Sequence, residues 1–303
     1  IFLESFWLLS LGGLLFGFFA GFAQLYRFAV ADVASEAFRP RAISLVLAGG
    51  VFAGLAGPQL ADWGEFLIKD HRFTGGFLFM VATALLAALA LIFLSIPNLT
   101  KKQMAGPQRP LLEIMKQPVF IAAAVSATVA QTVMNFLMTA TPIAMIHICG
   151  HSFGSMTSVI GWHTVAMFAP GFFTGNLIRK FGEIRIITIG LVLEGACIAI
   201  ALAGIEVMNF WLAMFLLGIG WNFTFTAATS LMTTAYTPAE RGKTQGMMNQ
   251  IIYTVVAIGS LSSGAFIHFF GWDWVNIGAI PLLLIAATVT FWYAASQRNP
   301  VQA

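Results

Sequence analysis

Charged side chains are scarce in this sequence. They make up 9% of the 303 residues, whereas a soluble domain usually carries about 25%. Hydrophobic residues make up 59% of the chain, and the mean hydropathy is +0.87. So few charges exclude an ordinary soluble domain, and we therefore expect an all-α integral membrane protein.

The sequence also lacks the signatures of several enzyme classes. Its two cysteines, Cys149 and Cys197, form no disulfide framework, because one lies near a loop and the other within an apolar run. No GxxxxGK followed by Ser or Thr is present, which argues against direct ATP hydrolysis by this chain. Among the histidines, only His147 and His151 are four residues apart. Two such ligands without a carboxylate or thiolate make a weak zinc site. We expect no enzymatic activity, no metal and no other cofactor.

Apolar runs of membrane length fill most of the chain. A helix needs about 20 residues to cross the hydrocarbon core. Nine segments meet this requirement: 5–33, 42–61, 74–96, 118–146, 154–178, 184–204, 208–235, 246–270 and 273–296.

A long polar segment, residues 97–118, separates the first three apolar runs from the last six. Its prolines and Gly106 argue against one continuous helix. Its cations are Lys101, Lys102, Arg109 and Lys116. Lys and Arg recur in alternate connections, with the loop 62–73 as the exception, and cytoplasmic loops hold an excess of these residues. We therefore expect the linker and the C-terminus to be cytoplasmic, and we attribute the net charge of +3 to topology rather than to nucleic-acid binding.

The number of segments on each side of the linker predicts the domains. Many transporters consist of three-helix units that are paired as inverted repeats. Residues 118–303 contain six segments, a complete half, whereas residues 1–98 contain three, a single repeat, and residues 99–117 form the linker. We therefore expect a further repeat of about 100 residues upstream of Ile1.

Two glycine-rich stretches carry a family resemblance. Glycines four residues apart let another helix approach closely, and a proline bends the helix. The first stretch, AGGVFAGLAGPQLADW, contains Gly50, Gly54, Gly57 and Pro58. The second, GNLIRKFGEIR, contains Gly175, Lys180, Gly182 and Arg185. They resemble the Gly-Pro helix and the glycine- and arginine-rich loop of the major facilitator superfamily.

The resemblance covers the whole chain and implies an architecture. The nine segments would be the fourth to the twelfth of twelve helices, in a monomeric, multi-pass permease of the bacterial inner membrane. Coupling to a proton or another ion is left open. Gly13 stands where drug antiporters of this family commonly have an arginine, which argues against that subgroup. MNFLMTATPIAM and CGHSF are similar to a bacterial branch whose neighbours are associated with riboflavin uptake.

Close packing predicts a partner for the first glycine-rich stretch. Gly54 and Gly57 form a small-residue face, and Gly171 and Gly175 of the fifth segment form another. We expect these two faces to contact each other.

Polar side chains at membrane depth are the candidates for a solute site, because they are costly there and usually face the bundle interior. In the fourth segment Gln131, Asn135 and Thr139 follow helical spacing. This stripe either lines a cavity or bonds neighbouring helices, and we favour the cavity. The other candidates are His163, Trp221, Asn222, Tyr253 and Arg27.

Several of these residues have more than one interpretation. His163 binds solute or makes a structural hydrogen bond, and Trp221 stacks on an aromatic solute or is an ordinary packed side chain. Arg27 points at an anionic solute group, reaches towards the membrane surface, or pairs with the upstream repeat.

The function we expect is secondary active transport of a small organic solute by alternating access. Its partners would be the solute and the lipid bilayer. The alternatives are a channel, a lipid-moving protein, or an efflux rather than an uptake permease. A channel should have rings of like charge or carbonyl-rich filters, and the sequence shows neither.

Overall fold

A computed structural model describes residues 5–65, 67–69, 71, 74–93 and 106–298. The described residues form helices and connecting turns, and no strand occurs among them. The all-α prediction is therefore confirmed. The first part of the linker predicted at 99–117, residues 99–105, lies outside the described part, and the predicted domain boundaries stay predictions.

The helices before the linker are α1 (Phe6–Ala23), α2 (Tyr26–Val33), α3 (Arg39–Ala48), α4 (Gly50–Glu65) and α5 (Thr74–Ile92). After the linker come α6 (Leu111–Met115), α7 (Pro118–Ile143), a π-helical turn (Ala144–Ile148), α8 (Phe153–Phe168), α9 (Gly171–Phe181), α10 (Glu183–Ala203), α11 (Val207–Met232) and α12 (Arg241–Arg298).

Three predicted segments are interrupted. The segment 5–33 breaks between α1 and α2, and 42–61 is divided at Gly49 into α3 and α4. The segment 154–178 breaks at Ala169 and Pro170, between α8 and α9. Proline explains the last break, because its ring clashes with the carbonyl four residues earlier and it has no N–H to donate.

The last two predicted segments are the two helical parts of α12, 241–270 and 272–298, which a kink at Gly271 separates. The 58 residues of α12 would extend about 87 Å at 1.5 Å per residue, far more than a bilayer core of about 30 Å. Gly271 interrupts it with φ 82° and ψ −177°, in a region that favours glycine. A Cβ added at Gly278 would lie 3.3 Å from Cε1 of Phe266, so the part 272–298 returns along the part 241–270.

Among the described residues, seven spans are long and apolar enough to cross a membrane: Phe6–Val33, Arg39–Gly57, Thr74–Ile92, Pro118–Ile148, Glu183–Ala203, Val207–Met232 and Arg241–Gln297. The interrupted segment 154–178 is not one of them, and the last span combines two predicted segments. The count of nine membrane helices therefore stays a prediction.

The core lies in the part of the chain after the linker. Buried residues make up 78% of an 18-residue apolar stretch of Pro118–Ile148 and 72% of such a stretch of Val207–Met232, but 0% of one in Phe6–Val33. Alanines along α7, among them Ala123, Ala127 and Ala130, let α11 and α12 approach it closely. Ser263 of α12 donates to the carbonyl of Phe136 at 2.7 Å, and Ser126 and Thr290 lie 3.2 Å apart. These two hydrogen bonds fix α7 and α12 relative to each other.

The interrupted pair α3 and α4, before the linker, packs antiparallel against the interrupted pair α8 and α9, after it. A Cβ at Gly171 would lie 2.7 Å from the carbonyl oxygen of Ser44, and one at Gly54 would lie 2.9 Å from Cγ2 of Thr164. The Ser44 hydroxyl donates to the carbonyl of Gly171 and accepts the N–H of Gly175 at 3.0 Å. Thus α3 contacts α9, and α4 contacts α8.

This register differs from the expected contact between glycines. Because the two chains are antiparallel, Gly175 meets the backbone of Arg41, and Gly54 meets α8 rather than Gly171 or Gly175. A Cβ at Gly57 would have nothing within 4 Å in the described part of the chain. Gly57 instead borders an apolar groove between α4 and α5. The two segments are brought together as expected, but their glycines are not face to face.

The C-terminal end of the linker is fastened to the loop between α11 and α12. Arg109 donates to Glu240 from Nε at 2.8 Å, from Nη2 at 2.6 Å and from its backbone N at 2.8 Å. Thr237 adds a backbone N–H at 3.0 Å, and Nη2 of Arg109 also donates to the carbonyl of Ala235 at 3.1 Å. The hydrogen bonds from Arg109 hold the pKa of Glu240 well below its usual range.

We expect Glu240→Gln to lower the thermal midpoint of unfolding at neutral pH, because Arg109 loses its ionised partner. The folded-state pKa is depressed, so the ionised carboxylate stabilises above the unfolded pKa of about 4.3 and that contribution is lost as pH falls towards the folded value. The difference between wild type and variant should therefore shrink below about pH 4. Thermal unfolding scans at pH 7 and below measure this difference in midpoint, with Glu206→Gln at an exposed position as control. Equal unfolding midpoints of wild type and Glu240→Gln at pH 7 would show that the contact between Arg109 and Glu240 does not stabilise the fold.

Candidate functional site

A row of stacked side chains crosses the junction between α2, α8 and α11. Trp221 stacks on Phe225, with ring centroids 5.1 Å apart and planes at 16°, and meets the edge of Phe168 at 5.7 Å. The guanidinium carbon of Arg27 lies 4.4 Å from the centroid of Phe225 and 4.8 Å from that of Phe28. We call these five residues the aromatic row. It ends on a buried cation, because Arg27 is 1% exposed.

Arg27 connects the two parts of the chain on either side of the linker. Its Nη1 donates to Gln24 at 2.9 Å, and its Nη2 donates to Asn249 of α12 at 2.8 Å. Its Nε is buried and has no hydrogen-bond partner among the described residues. Of the three interpretations of Arg27, a path to the membrane surface does not fit this buried side chain, and contact with an anionic solute or with an upstream repeat stays a prediction.

Two amides of α7 lie next to this row. The indole N–H of Trp221 donates to Oε1 of Gln131 at 2.8 Å, and both side chains are buried. Asn135, one turn further along, is half-buried and donates to the backbone carbonyl of Gln131 at 2.9 Å. Thr139 is exposed. The α7 stripe therefore runs from the core at Gln131 to an accessible surface at Thr139.

Tyr253 lies one helical turn after Asn249 on α12. Its hydroxyl is buried and has no hydrogen-bond partner within the described part of the chain. Residues four apart share a helix face, so this hydroxyl and the Asn249 amide point to the same side. An unpartnered buried hydroxyl is a costly feature that a ligand oxygen or nitrogen would relieve.

His163 and Asn222 form a separate pair of contacts between α8 and α11. Nδ1 of His163 lies 2.7 Å from the carbonyl oxygen of Met214. Asn222 donates to the carbonyl of Met167 at 2.7 Å and accepts from Thr174 at 2.7 Å. The last carbonyls of a helix have no partner within it, and Asn222 satisfies one at the end of α8. Both side chains are 0% exposed and bond neighbouring helices in this conformation. Trp221, Phe225 and Arg27 of the aromatic row are likewise at most 4% exposed, so that row also becomes accessible only when the helices move apart.

The remaining motif residues occupy packing and loop positions. Gly50 faces the ring of Phe168, and Gly182 ends α9 with φ 83°. Nζ of Lys180 lies 5.2 Å from the ring centroid of Phe181, and Arg185 is exposed near the start of α10. Pro58 lies within α4, and its side chain is outside the described residues.

Four members of the site were not among the sequence candidates: Phe28, Phe168, Phe225 and Asn249. Helical spacing could have indicated two of them, Phe225 and Asn249. Trp221 and Phe225 are four residues apart on α11, as are Asn249 and Tyr253 on α12, so each pair shares a face. Phe168 carries no such signal, since its contact depends on how α8 meets α11.

Polar contacts close one end of this junction. Nη1 of Arg241 lies 3.3 Å from Oδ2 of Asp32, and Gln245 donates to Asp32 at 3.3 Å and to the hydroxyl of Tyr236 at 2.7 Å. Burial raises the pKa of Tyr236, which keeps its phenol neutral. A cavity of about 550 Å³ lies beside these contacts, with Asp32, Tyr236 and Arg241 in its wall.

The helical spans, their small-residue packing and their sparse charge define a multi-pass membrane protein. Residues 123–302 match the family model of the Major Facilitator Superfamily. The riboflavin transporter RfnT of Brucella anthropi is 43% identical over 288 residues, 94% of this chain and 72% of that protein. The chain belongs to the Major Facilitator Superfamily, a family of non-enzymatic transporters.

Other relatives agree with this assignment. The uncharacterised MFS-type transporter YddS of Bacillus subtilis is 31% identical over 287 residues, 88% of this chain and 65% of that protein. A crystal structure of a bacterial homologue of the iron transporter ferroportin, in an outward-facing state, superposes with a TM-score of 0.54 at 14% identity. It covers 88% of this chain and 66% of that one, and it supports the fold alone.

Proposed function

We propose that the protein transports a planar heteroaromatic solute of the riboflavin type across the bacterial inner membrane by alternating access. The observation that carries this proposal is the aromatic row, which ends on the buried Arg27 and is flanked by the amides of Gln131 and Asn249. The similarity to a riboflavin transporter supports the same class of solute.

The chemistry of the row suits a flat, neutral or anionic ring system. Aromatic faces such as those of Trp221 and Phe168 stack on another ring. Amides offer both donors and an acceptor, as the carbonyl and N–H groups of a heterocycle require. The planar guanidinium of Arg27 can pair with two solute oxygens while it remains stacked on Phe225, once its hydrogen bonds to Gln24 and Asn249 open. A polycation would be repelled by the same guanidinium.

Alternating access requires that contacts between the two parts of the chain open and close. Asp32 with Arg241, Arg27 with Asn249, and Ser44 with Gly171 all join helices before the linker to helices after it. The excess of Lys and Arg in the neighbouring loops supports a cytoplasmic position for this end. In the present arrangement the cytoplasmic end is closed, and release of solute to the cytoplasm requires these contacts to break.

A thermal-shift comparison tests the class of solute. Riboflavin and lumiflavin, which share the tricyclic ring, should raise the unfolding temperature of the purified full-length protein, whereas ribitol should not. A ligand at about 100 times its dissociation constant stabilises by roughly 2.7 kcal/mol, which is ample for detection. No shift with either flavin, together with a shift by a solute that lacks an aromatic ring, would contradict the proposal.

A further inference from the structure

An apolar crevice lies on the outer surface between α10 and the part 272–298 of α12. It has a volume of about 490 Å³. Its wall on α10 includes Leu191, Gly195 and Ala199, and its wall on α12 includes Leu284, Ala287 and Phe291. None of the residues that line the crevice belongs to the aromatic row.

Gly195 makes the crevice deep. A Cβ added there would have nothing within 4 Å in the described part of the chain. On the opposite face of α10, by contrast, a Cβ at Gly190 would lie 2.7 Å from the carbonyl oxygen of Gly220 on α11. One glycine of α10 therefore serves helix packing, whereas Gly195 leaves space that no described residue fills.

The crevice has the length of a lipid acyl chain. Its α10 wall runs from Thr188 to Leu202, which spans about 21 Å at a rise of 1.5 Å per residue. Half of a hydrocarbon core is about 15 Å thick. Because Glu183–Ala203 is a candidate membrane span, the crevice lies at the depth of the acyl chains of one leaflet and part of the next.

A cation stands at one end of this crevice. Arg185 precedes Thr188 by three residues, and Thr188, Val192, Gly195, Ala199 and Leu202 continue the same stripe at intervals of three or four. Arg185 is exposed, and within the described residues it makes no hydrogen bond or ion pair. Under the orientation proposed above, this end faces the cytoplasmic leaflet, where anionic lipids attract basic side chains.

We propose that the crevice binds an anionic phospholipid, with one acyl chain over Gly195 and the phosphate against Arg185. Apolar walls exclude a polar solute, and the guanidinium favours an anionic headgroup over a zwitterionic one because it repels the ammonium group of the latter. Arg and phosphate form paired hydrogen bonds, which fix the headgroup while the chain fills the groove. The proposal depends on the orientation of the membrane helices, but it does not depend on which solute is transported.

Photo-crosslinking in nanodiscs tests this site without a transport assay. The full-length protein is placed in nanodiscs that contain phosphatidylglycerol or phosphatidylcholine with a diazirine on the acyl chain, and adducts are mapped by mass spectrometry. We expect phosphatidylglycerol adducts on peptides that cover 186–203 and 280–291. Gly195→Leu should reduce them several-fold, because the new side chain occupies the groove. Gly264→Leu, at an exposed glycine of α12 that likewise has open space in the described structure, should leave them unchanged.

Arg185→Gln separates the headgroup contact from the acyl-chain contact. We expect it to reduce phosphatidylglycerol adducts several-fold and to leave phosphatidylcholine adducts as they are. Adduct yields that Gly195→Leu does not change would overturn the crevice as the binding site. A ratio of phosphatidylglycerol to phosphatidylcholine adducts that Arg185→Gln does not change would overturn the headgroup contact. Crosslinks between two copies of the protein through these peptides would replace the lipid with a dimer interface.

Discussion

Gly175→Leu should abolish solute transport, although the variant still inserts into the membrane. A Cβ at this position would lie 2.7 Å from the carbonyl oxygen of Pro40 and would overlap the backbone of Arg41. Backbone atoms cannot turn aside as a flexible side chain can, so α9 and α3 must separate. Separation also removes the hydrogen bond from the Gly175 N–H to Ser44. The cytoplasmic end would then no longer close, and we expect at least a tenfold loss of uptake.

Gly57→Leu is the matched control. It adds the same side chain to a glycine of the other family-like stretch, at a position where the described structure leaves open space. We expect it to retain most of the wild-type rate. Uptake into proteoliposomes, normalised to correctly inserted protein, measures both variants. Wild-type uptake by Gly175→Leu would show that close contact of α3 and α9 is not needed for the transport cycle.

Arg27→Ala should weaken solute binding by about 10- to 100-fold. Hydrogen bonds to charged groups contribute roughly 1.5–3 kcal/mol, and each 1.4 kcal/mol corresponds to a factor of ten in affinity. Arg27→Lys should not restore affinity fully, because an ammonium group has neither the planar stack on Phe225 nor two parallel donors. Titration calorimetry with riboflavin on the purified variants gives the dissociation constants.

His163→Ala serves as the contrasting variant in the same titration. His163 is 0% exposed and pairs with the carbonyl of Met214, so its loss should lower the unfolding temperature while the affinity of the remaining folded protein stays near wild type. A large loss of affinity in His163→Ala, with Arg27→Ala unaffected, would move the solute site from the aromatic row to the contact between α8 and α11.

Composition and pattern were sufficient for the class of protein and for much of its architecture. Few charges and long apolar runs predicted helices in a membrane, and the glycine-rich stretch around Gly54 predicted which segment would pack on the fifth one. Few charges and long apolar runs are visible in each segment by itself, and the packing prediction required only that two segments both carry closely spaced glycines. The orientation expected from the alternation of Lys and Arg between loops stays a prediction.

The side-chain partners required the structure. Arg27 and Asn249 are 222 residues apart, and nothing in the local sequence around either one specifies the other. Helical spacing placed Gln131 and Asn135 on one face of α7. It could not show that the Gln131 side chain bonds Trp221, whereas the Asn135 side chain donates to the backbone carbonyl of Gln131. His163 and Asn222 illustrate the same limit, because a polar group at membrane depth satisfies either a solute or a neighbouring helix.

Counterflow of riboflavin in proteoliposomes tests transport by alternating access most directly. Vesicles that contain the full-length protein are loaded with unlabelled riboflavin and diluted into a trace of the labelled compound. An exchanging carrier should accumulate label transiently above the equilibrium level, with a rate that saturates as external riboflavin rises and that Arg27→Ala reduces. Label that enters at a rate proportional to its concentration, with no acceleration by internal riboflavin, would contradict a carrier of this solute.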